Sequence, residues 1–590
     1  MTDQLTMHKP AEKPVERPIE PWRQRLIRSL LYGRNVDRAA KARARVGLAM
    51  LAFAGIYGII AVRLVMFAVG GDSHGERRAT RDAIATARPD IVDRNGEILA
   101  TDIKAPSLFA EPRRIVDKDE AIELLTATLP DLDTAEVRER LMSKKGFVWL
   151  KREITSQQQR DIHKLGVPGV GFLRENKRVY PSGPAVSHVI GLVNTDNQGI
   201  AGIEKWLDTN GLADLHRAGF ASDRLQKPIE LSVDLRVEHA LRDELMKAKE
   251  KYKAKAASGL ISNVKTGEIV AMVSLPDFDP NNPKEAHDPD RINRLTTGVY
   301  EMGSTFKTLT LAMALDAGKA NLGTMYDARM PLSYGKFKIH DSHSLGKFIS
   351  LAEVFTYSSN IGAARVALSM GVEAHKAFLK KVGQMDRLRT ELPESAMPIV
   401  PKRWSELNTI TIAFGHGIAV APLQAVMGIN AMVNGGYLIP PTFLKRTEEE
   451  ALAIGKRVVK KDTSDKIRYM MRLNAETGTA RQADLLSKGY YIGGKTGTAE
   501  KVVNGRYSKK QVLNSFTAVL PMDNPQFQVL VMLDEPKALP ETHGFITSGW
   551  NAVPAGGKVI ARVAPLLGLE PRFDLPTADR LILAASRVTQ

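Results

Sequence analysis

A serine and a lysine stand three residues apart at the head of a long apolar run. The segment from Glu301 to Lys307 reads E-M-G-S-T-F-K, and the residues after it are mostly apolar as far as Gly318. This run predicts a buried helix of about four turns with Gly318 as its C-terminal stop. Residues i and i+3 share a helix face, so we expect the Ser304 hydroxyl within hydrogen-bonding reach of the Lys307 amine.

The pairing of Ser304 with Lys307 has a chemical use. A serine hydroxyl is a weak nucleophile until a base removes its proton, and a lysine acts as that base only when burial or nearby positive charge lowers its pKa. The unpaired N–H groups of a helix N-terminus would also favour negative charge at Ser304. Because an isolated S-x-x-K match is also typical of a solvated helix face, the pattern needs support from elsewhere in the chain.

Two further motifs supply that support. Residues 358–360 read S-S-N, an S-x-N motif between predicted helical segments, and residues 495–498 read K-T-G-T. The second motif lies in a predicted strand from Tyr490 to Ala499, whose three glycines indicate a close backbone approach. Helix capping is the structural alternative for Ser358 and Asn360.

The three motifs in this order resemble those of the penicillin-binding proteins, which are serine acyl transferases. The resemblance covers about residues 88–540 and includes F-G-H-G-I from Phe414 and T-G-T-A from Thr477. It implies an α+β fold, with a penicillin-binding transpeptidase domain built as an antiparallel sheet flanked by helices. The sequence departs from the family pattern at Met302, where many relatives have proline, and at His416, where glutamine is usual.

The resemblance also implies catalytic roles. Ser304 would attack the carbonyl of a D-alanyl-D-alanine stem peptide, with Lys307 as its base. Ser358 would relay a proton to the departing amine, while Asn360 would hold Lys307 and the substrate backbone. Lys495 would add positive potential.

Substrate binding is assigned to the strand that carries the K-T-G-T motif. Thr496, Gly497 and Thr498 would bind the substrate, and the backbone N–H groups of Ser304 and Thr498 would form the oxyanion hole. The resemblance further implies that β-lactams mimic the substrate and block Ser304.

The N-terminal region predicts a membrane anchor. Residues 1–45 carry 11 Lys or Arg and 5 Asp or Glu and are predicted as a basic cytoplasmic tail, and residues 46–71 are mostly apolar and predicted as a transmembrane anchor. The basic excess before the span places the N-terminus in the cytoplasm and the catalytic part outside, on a bacterial inner membrane. A cleaved signal peptide is the alternative, but the long preamble favours an uncleaved anchor.

Residues 72–225 resemble the N-terminal pedestal module, of the dimerisation type, of class B penicillin-binding proteins. A predicted hairpin at residues 88–101 with an Asn-Gly turn is followed by motif boxes at residues 178–191 and 199–204. Their charged residues are expected to form ion pairs that hold the module to its neighbour, and His188 is expected to be structural. The module lacks a glycan-polymerising domain, so a membrane glycan polymerase and other division proteins are expected as partners.

Residues 226–575 are predicted as the transpeptidase domain and residues 576–590 as a C-terminal tail. The domain is expected to begin with a strand from Ile229, a helix over 235–251 and a hairpin over 257–273, and to close with a hairpin tip near residues 504–505 and strands over 515–520 and 527–533.

Charge and composition exclude other classes. The net charge is +17, but no nucleic-acid-binding motif accompanies it, and the chain has no cysteine, so no thiolate chemistry is possible. No cofactor and no metal are expected. The G-x-S-x-G match at residues 71–75 is interpreted as a linker because it lacks the strand and helix of a nucleophile elbow.

The expected function is cross-linking of septal peptidoglycan, with stem peptides and lipid-linked nascent glycan as substrates. Three alternatives remain. A side-wall transpeptidase shares all the motifs, although the short tail and residues 147–152 look more like the septal group. A β-lactamase shares the three motifs, but Trp404 stands where a deacylating base is needed. A membrane-anchored sensor would need a cytoplasmic effector larger than 45 residues.

Overall fold

The computed structural model describes residues 38–69, 88–211 and 227–575, together with Trp22, Thr577 and Ala578. Several predictions therefore fall outside the described residues. These are most of the basic tail, the G-x-S-x-G stretch at residues 71–75, the domain boundary near residue 225 and most of the C-terminal tail.

Helix α1 spans Arg38–Val69 and begins earlier than the predicted anchor. Its stretch Arg45–Arg63 has a mean hydropathy of 1.9 and none of it is buried, and within the described ranges it is the one helix long and apolar enough to cross a membrane. The helix continues into the basic segment before residue 46 because alanine and arginine are strong helix formers.

The N-terminal module contains a sheet backed by short helices. Its elements are β1 (Ile91–Val92), β2 (Ile98–Ala110), α2 (Lys118–Thr128), α3 (Thr134–Met142), β3 (Val148–Lys151), α4 (Ser156–Leu165), β4 (Val170–Val179), α5 (Ser187–Ile190), β5 (Leu192–Val193), β6 (Gly199–Ala201) and α6 (Gly202–Trp206). The predicted hairpin is present as β1 and β2, and β2 extends to Ala110 because it pairs along its length with β4.

Ion pairs inside the module join its motif boxes to one another. Glu204 accepts hydrogen bonds from Arg88 (2.9 Å) and Arg178 (2.7 Å), and Arg178 also lies 3.2 Å from Asp102. The prediction that the charged residues of the boxes hold the module to its neighbour is therefore wrong for Arg88, Arg178 and Glu204.

Hydrogen bonds between uncharged groups connect the N-terminal module to the second domain. The Tyr180 backbone exchanges two hydrogen bonds of 2.9 Å with the Asn281 amide, and His188 Nε2 lies 2.9 Å from the carbonyl oxygen of Arg291. This contact gives His188 the structural role that was predicted. Arg94 does reach Glu268 across the boundary, at 3.4 Å.

The second domain is built on a five-stranded antiparallel sheet whose strands lie in the order Gly493–Val503, Arg506–Leu520, Phe527–Asp534, Ala256–Asn263 and Ile269–Leu275. Its elements up to the S-x-N region are β7 (Ile229–Glu230), α7 (Leu235–Lys251), β8 (Ala256–Asn263), β9 (Ile269–Leu275), α8 (Lys307–Asp316), β10 (Met325–Asp327), β11 (Leu332–Tyr334), β12 (Phe337–Ile339), β13 (Phe348–Ser350), α9 (Leu351–Thr356) and α10 (Asn360–Met370). The remaining elements are α11 (Val372–Lys381), α12 (Glu406–Ile412), α13 (Pro422–Val433), β14 (Tyr437–Leu438), α14 (Glu448–Ile454), β15 (Lys456–Arg457), α15 (Lys461–Thr477), α16 (Arg481–Leu486), β16 (Gly493–Val503), β17 (Arg506–Leu520), β18 (Phe527–Asp534) and α17 (Ala552–Leu566).

Helices cover both faces of this sheet. Along β18, Val529 and Val531 pack with α7 and α17 on one face, whereas Leu530 and Met532 pack with the cluster that includes α8 on the other. Alternate side chains of a strand point to opposite faces, so a strand covered on both sides is apolar throughout. The result is the α+β layering that was expected, with α8 and its preceding turn buried beside the sheet.

Candidate active site

The turn before α8 brings Ser304 against the edge strand of the sheet. Residues Gly303–Phe306 form a 3-10 turn, so the predicted helix is present but its first turn is tighter than an α-helix. Gly303 has φ +54°, and a Cβ there would lie 2.7 Å from the Thr498 carbonyl oxygen. Glycine is required at this position because any side chain would push the turn away from β16.

Lys307 is completely buried and contacts both of the first two motifs. Its Nζ lies 2.9 Å from Ser304 Oγ, 2.8 Å from Asn360 Oδ1 and 3.1 Å from Ser358 Oγ, and it also donates to the Ser358 carbonyl oxygen. Burial, and then the charge of Lys495, lower the pKa of Lys307 well below its ordinary value. A neutral amine at this position can accept the Ser304 proton.

Lys495 is the second buried amine of the site. Its Nζ donates to Ser358 Oγ at 2.9 Å and to the Thr496 carbonyl oxygen at 3.1 Å, and burial lowers its pKa to about 7. Ser358 therefore lies between two amines. It has φ +58°, a left-handed conformation that is costly for a residue with a side chain and is typical of functional sites.

Asp341 holds the loop that carries Ser358 and Asn360, and no sequence motif pointed to it. Its carboxylate accepts hydrogen bonds from the backbone N–H groups of Asn360 (2.5 Å) and Ile361 (3.0 Å) and from Ser359 Oγ (2.8 Å). Helix capping, the structural alternative for this motif, is carried out by its middle residue, Ser359. Its Oγ accepts a hydrogen bond from the Gly362 N–H at 2.9 Å and so caps α10. Ser358 and Asn360 are left to face Lys307.

Strand β16 packs against the turn that carries Ser304, and Gly497 of this strand is required by the close packing. A Cβ on Gly497 would lie 2.4 Å from Ser515 Oγ and 2.7 Å from the Met302 carbonyl oxygen, which agrees with the predicted close approach. The strand begins at Gly493 rather than at Tyr490, because Tyr491 has φ +49° and breaks the extended run.

The threonines of β16 have partners that the motif did not reveal. Thr496 Oγ1 lies 2.9 Å from Thr479 Oγ1, and Thr498 Oγ1 accepts a hydrogen bond from the Ser548 N–H at 3.1 Å. The T-G-T-A segment from Thr477 was the available signal for Thr479, whereas no pattern pointed to Ser548. These contacts orient both hydroxyl groups at the cleft.

His416 lies near the site without contacting its reactive atoms. Burial, and then the charge of Lys307, lower the pKa of His416 to about 4, so its ring is neutral at pH 7. The ring packs against Phe414 and Tyr507, with centroids 5.5 and 5.6 Å apart. This packing argues for a structural role of the residue that departs from the family pattern.

Comparison with protein families and curated proteins gives one consistent result. The model of the penicillin binding protein transpeptidase domain matches residues 257–548, and that of the penicillin-binding protein dimerisation domain matches residues 83–210. The chain is 38% identical over 513 residues to the probable peptidoglycan D,D-transpeptidase FtsI of Caulobacter vibrioides, with 85% of each chain covered. It is 30% identical over 565 residues to the peptidoglycan D,D-transpeptidase FtsI of Escherichia coli, with 90% of this chain and 93% of the other covered.

A solved structure shares the fold. Penicillin binding protein 3 from Mycobacterium tuberculosis, complexed with aztreonam, superposes with a TM-score of 0.61 at 22% identity and covers 84% of this chain and 99% of its own.

Proposed function

Because the chain belongs to the class B penicillin-binding proteins of the septal type, we propose that its peptidoglycan D,D-transpeptidase reaction proceeds through an acyl-enzyme on Ser304. The observation that carries this proposal is the buried Lys307 amine 2.9 Å from Ser304 Oγ. Burial favours the neutral amine, which can take the proton that the hydroxyl must lose.

The remaining steps follow from the contacts around Lys307. Ser304 Oγ attacks the carbonyl of the terminal D-alanyl-D-alanine, and the backbone N–H groups of Ser304 and Thr498 stabilise the oxyanion. The proton held on Lys307 passes through Ser358 to the departing D-alanine amine. The amine of a second stem peptide then attacks the ester carbonyl and loses a proton to Lys307. Lys307 returns this proton to Ser304 Oγ as the ester C–O bond breaks, which completes the cross-link and regenerates the free hydroxyl.

Lys495 and the threonines of β16 bind the substrate. Lys495 supplies positive potential at the substrate-binding site. The Thr496 and Thr498 hydroxyls bind the carboxylate of the terminal D-alanine. Gly497 lets the strand approach the turn Gly303–Phe306, here called the nucleophile turn. Asn360 holds Lys307 and donates through its amide toward the substrate backbone. The carboxylate of a β-lactam would occupy the same place, and the drug would acylate Ser304.

The domain boundaries and the membrane topology also belong to this proposal. Residues 72–225 serve as the pedestal and 226–575 as the transpeptidase domain. Helix α1 anchors the chain in the cytoplasmic membrane, with the basic residues before it in the cytoplasm and the catalytic domain outside. Glycan synthesis is left to a membrane polymerase, since the pedestal is of the dimerisation type.

Mass spectrometry after exposure to penicillin tests the acyl-enzyme. We expect one added penicillin, on the proteolytic peptide that carries Ser304, and no adduct on Ser304→Ala. The matched control Ser143→Ala, in the pedestal, should label like the wild type. An adduct on another residue, or none on folded protein, would refute the assignment.

A further inference from the structure

Strands β16 and β17 continue past the sheet as a two-stranded arm, defined here as residues 500–512. Pairing of β17 with β18 begins only at Leu513, so no third strand pairs with the arm among the residues that the structure describes. The arm is continuous with the part of β16 that carries Lys495 to Thr498. A substrate that extends along β16 beyond Thr498 would therefore meet the arm.

A bulge in the arm presents two adjacent lysines. Glu500 pairs with Val512 and Lys501 pairs with Ser508, so residues 509–511 of β17 have no opposing residue in β16. Lys509 and Lys510 occupy this bulge and are exposed. Bulges beside active sites commonly re-aim side chains.

The basic residues of the arm differ in whether they are paired. Lys501 is held by Asp534 at 3.0 Å and Glu535 at 2.7 Å, which ties down the base of the arm. Arg506, Lys509 and Lys510 form no ion pair with any residue in the described ranges, and Glu500 is the single acidic residue of the arm. Three free cations therefore stand beyond the substrate-binding end of β16.

Glu301 fixes the arm beside the nucleophile. Its Oε1 accepts hydrogen bonds from the Tyr507 hydroxyl at 3.1 Å and from the Gly417 N–H at 2.7 Å. Glu301 lies three residues before Ser304. Its hydrogen bond to Tyr507 therefore connects the arm directly to the segment that leads into the nucleophile. The position of the free cations relative to the reacting carbonyl is thus set by a direct contact.

We propose that Arg506, Lys509 and Lys510 bind carboxylates of the peptidoglycan stem peptide outside its terminal D-alanyl-D-alanine. This inference rests on the proposed function, since it extends the same cleft. Exposed cations attract carboxylates at long range, and salt weakens the attraction. The arm therefore confers selectivity for acidic over amidated stem peptides.

A competition experiment on the full-length protein tests this proposal. Two synthetic peptides end in D-alanyl-D-alanine, one with free side-chain carboxylates and the other with the same groups as amides. Each competes with a fluorescent penicillin for Ser304. We compare Lys509→Gln/Lys510→Gln with Lys144→Gln/Lys145→Gln, an exposed lysine pair in the pedestal that gives the same change in net charge. Arg506→Gln serves as a second arm variant.

Lys509→Gln/Lys510→Gln should weaken competition by the acidic peptide about five- to tenfold, as expected for loss of two exposed charge contacts, and Arg506→Gln, which removes one charge, about two- to threefold. Neither arm variant should change competition by the amidated peptide. The pedestal pair should behave like the wild type, and added salt should reduce the preference of the wild type. Equal competition by both peptides in the wild type, no competition by either, or equal effects of the two lysine pairs would overturn the inference. Labelling of Ser304 by penicillin alone reports separately on the proposed function.

Discussion

The N-terminal module and the active site both bury cationic side chains, but only the module gives them carboxylate partners. Arg178 and Glu204 have fully buried side chains in contact at 2.7 Å, with Asp102 close by. Lys307 and Lys495 are equally buried, yet neither forms an ion pair with a described residue. Their partners are hydroxyl, amide and carbonyl oxygens.

The difference in partners reverses the effect of burial on the pKa. Burial alone would lower the pKa of Arg178, but Glu204 and Asp102 outweigh it and raise that pKa. Without such partners, burial lowers the pKa of both active-site lysines. A paired buried cation thus holds structure together, whereas burial of an unpaired lysine favours its neutral amine, the form that can accept a proton.

The largest effect is expected from Lys307→Gln. Removing the proposed base should lower the rate of Ser304 acylation by penicillin roughly a thousandfold or more, the upper range for general-base catalysis. The melting temperature should stay close to that of the wild type, because no ion pair is broken. Stopped-flow acylation and a thermal melt measure both quantities. A large loss of stability with little loss of rate would contradict the comparison.

Glu204→Gln should show the opposite pattern. Breaking a buried ion pair leaves Arg88 and Arg178 short of a counter-charge and should lower the free energy of unfolding of the module by about 3–5 kcal/mol. Urea denaturation measures this change, and acylation per folded molecule should remain close to the wild-type value. An unchanged unfolding midpoint would show that the pairing is not structural.

Asp341→Ala tests the carboxylate that lies near the lysines but binds backbone N–H groups. Loss of its hydrogen bonds should let the Ser358 loop shift and reduce the acylation rate roughly ten- to hundredfold. Asp341→Asn keeps acceptors for the N–H groups and should recover most of the rate. If the two variants are equally slow, the negative charge of Asp341 matters more than its hydrogen bonds.

The smallest expected effect, taken per unit of pH, is the pH dependence of stability that Lys495 produces. Its pKa is about 7 in the folded chain and 10.5 ordinarily, so above pH 7 the unfolded chain keeps a proton that the folded chain has lost. Stability should therefore rise with pH across this window, by roughly 1 kcal/mol per unit from this residue. Lys495→Met should flatten the rise in urea denaturation, and identical pH profiles would refute the low pKa.

The motif residues could be predicted from the sequence because their geometry is local. Ser304 and Lys307 share a helical turn, and Thr496 to Thr498 lie on one strand, so spacing alone predicts their arrangement. The layered α+β fold was also predictable, since the apolar runs of β18 and α8 are long and distinct.

The partners of these residues could not be predicted, because they come from distant segments. Asp341 lies in a loop after an exposed hairpin with no apolar pattern, and the tie between Glu301 and Tyr507 joins residues far apart in the chain. The pairing of Arg178 with Glu204 was misjudged for the same reason. The sequence shows that a buried arginine needs a carboxylate partner, but it does not show which aspartate or glutamate is that partner.

The protonation state of Lys307 is the most direct test of the central claim. Lysine labelled with 13C at Cε gives a signal that reports the charge of each amine, and comparison with Lys307→Gln assigns the signal of Lys307. We predict that this signal titrates well below pH 10.5, because burial and the neighbouring Lys495 lower the pKa of Lys307. Titration of Lys307 near its ordinary value of 10.5 would contradict the account.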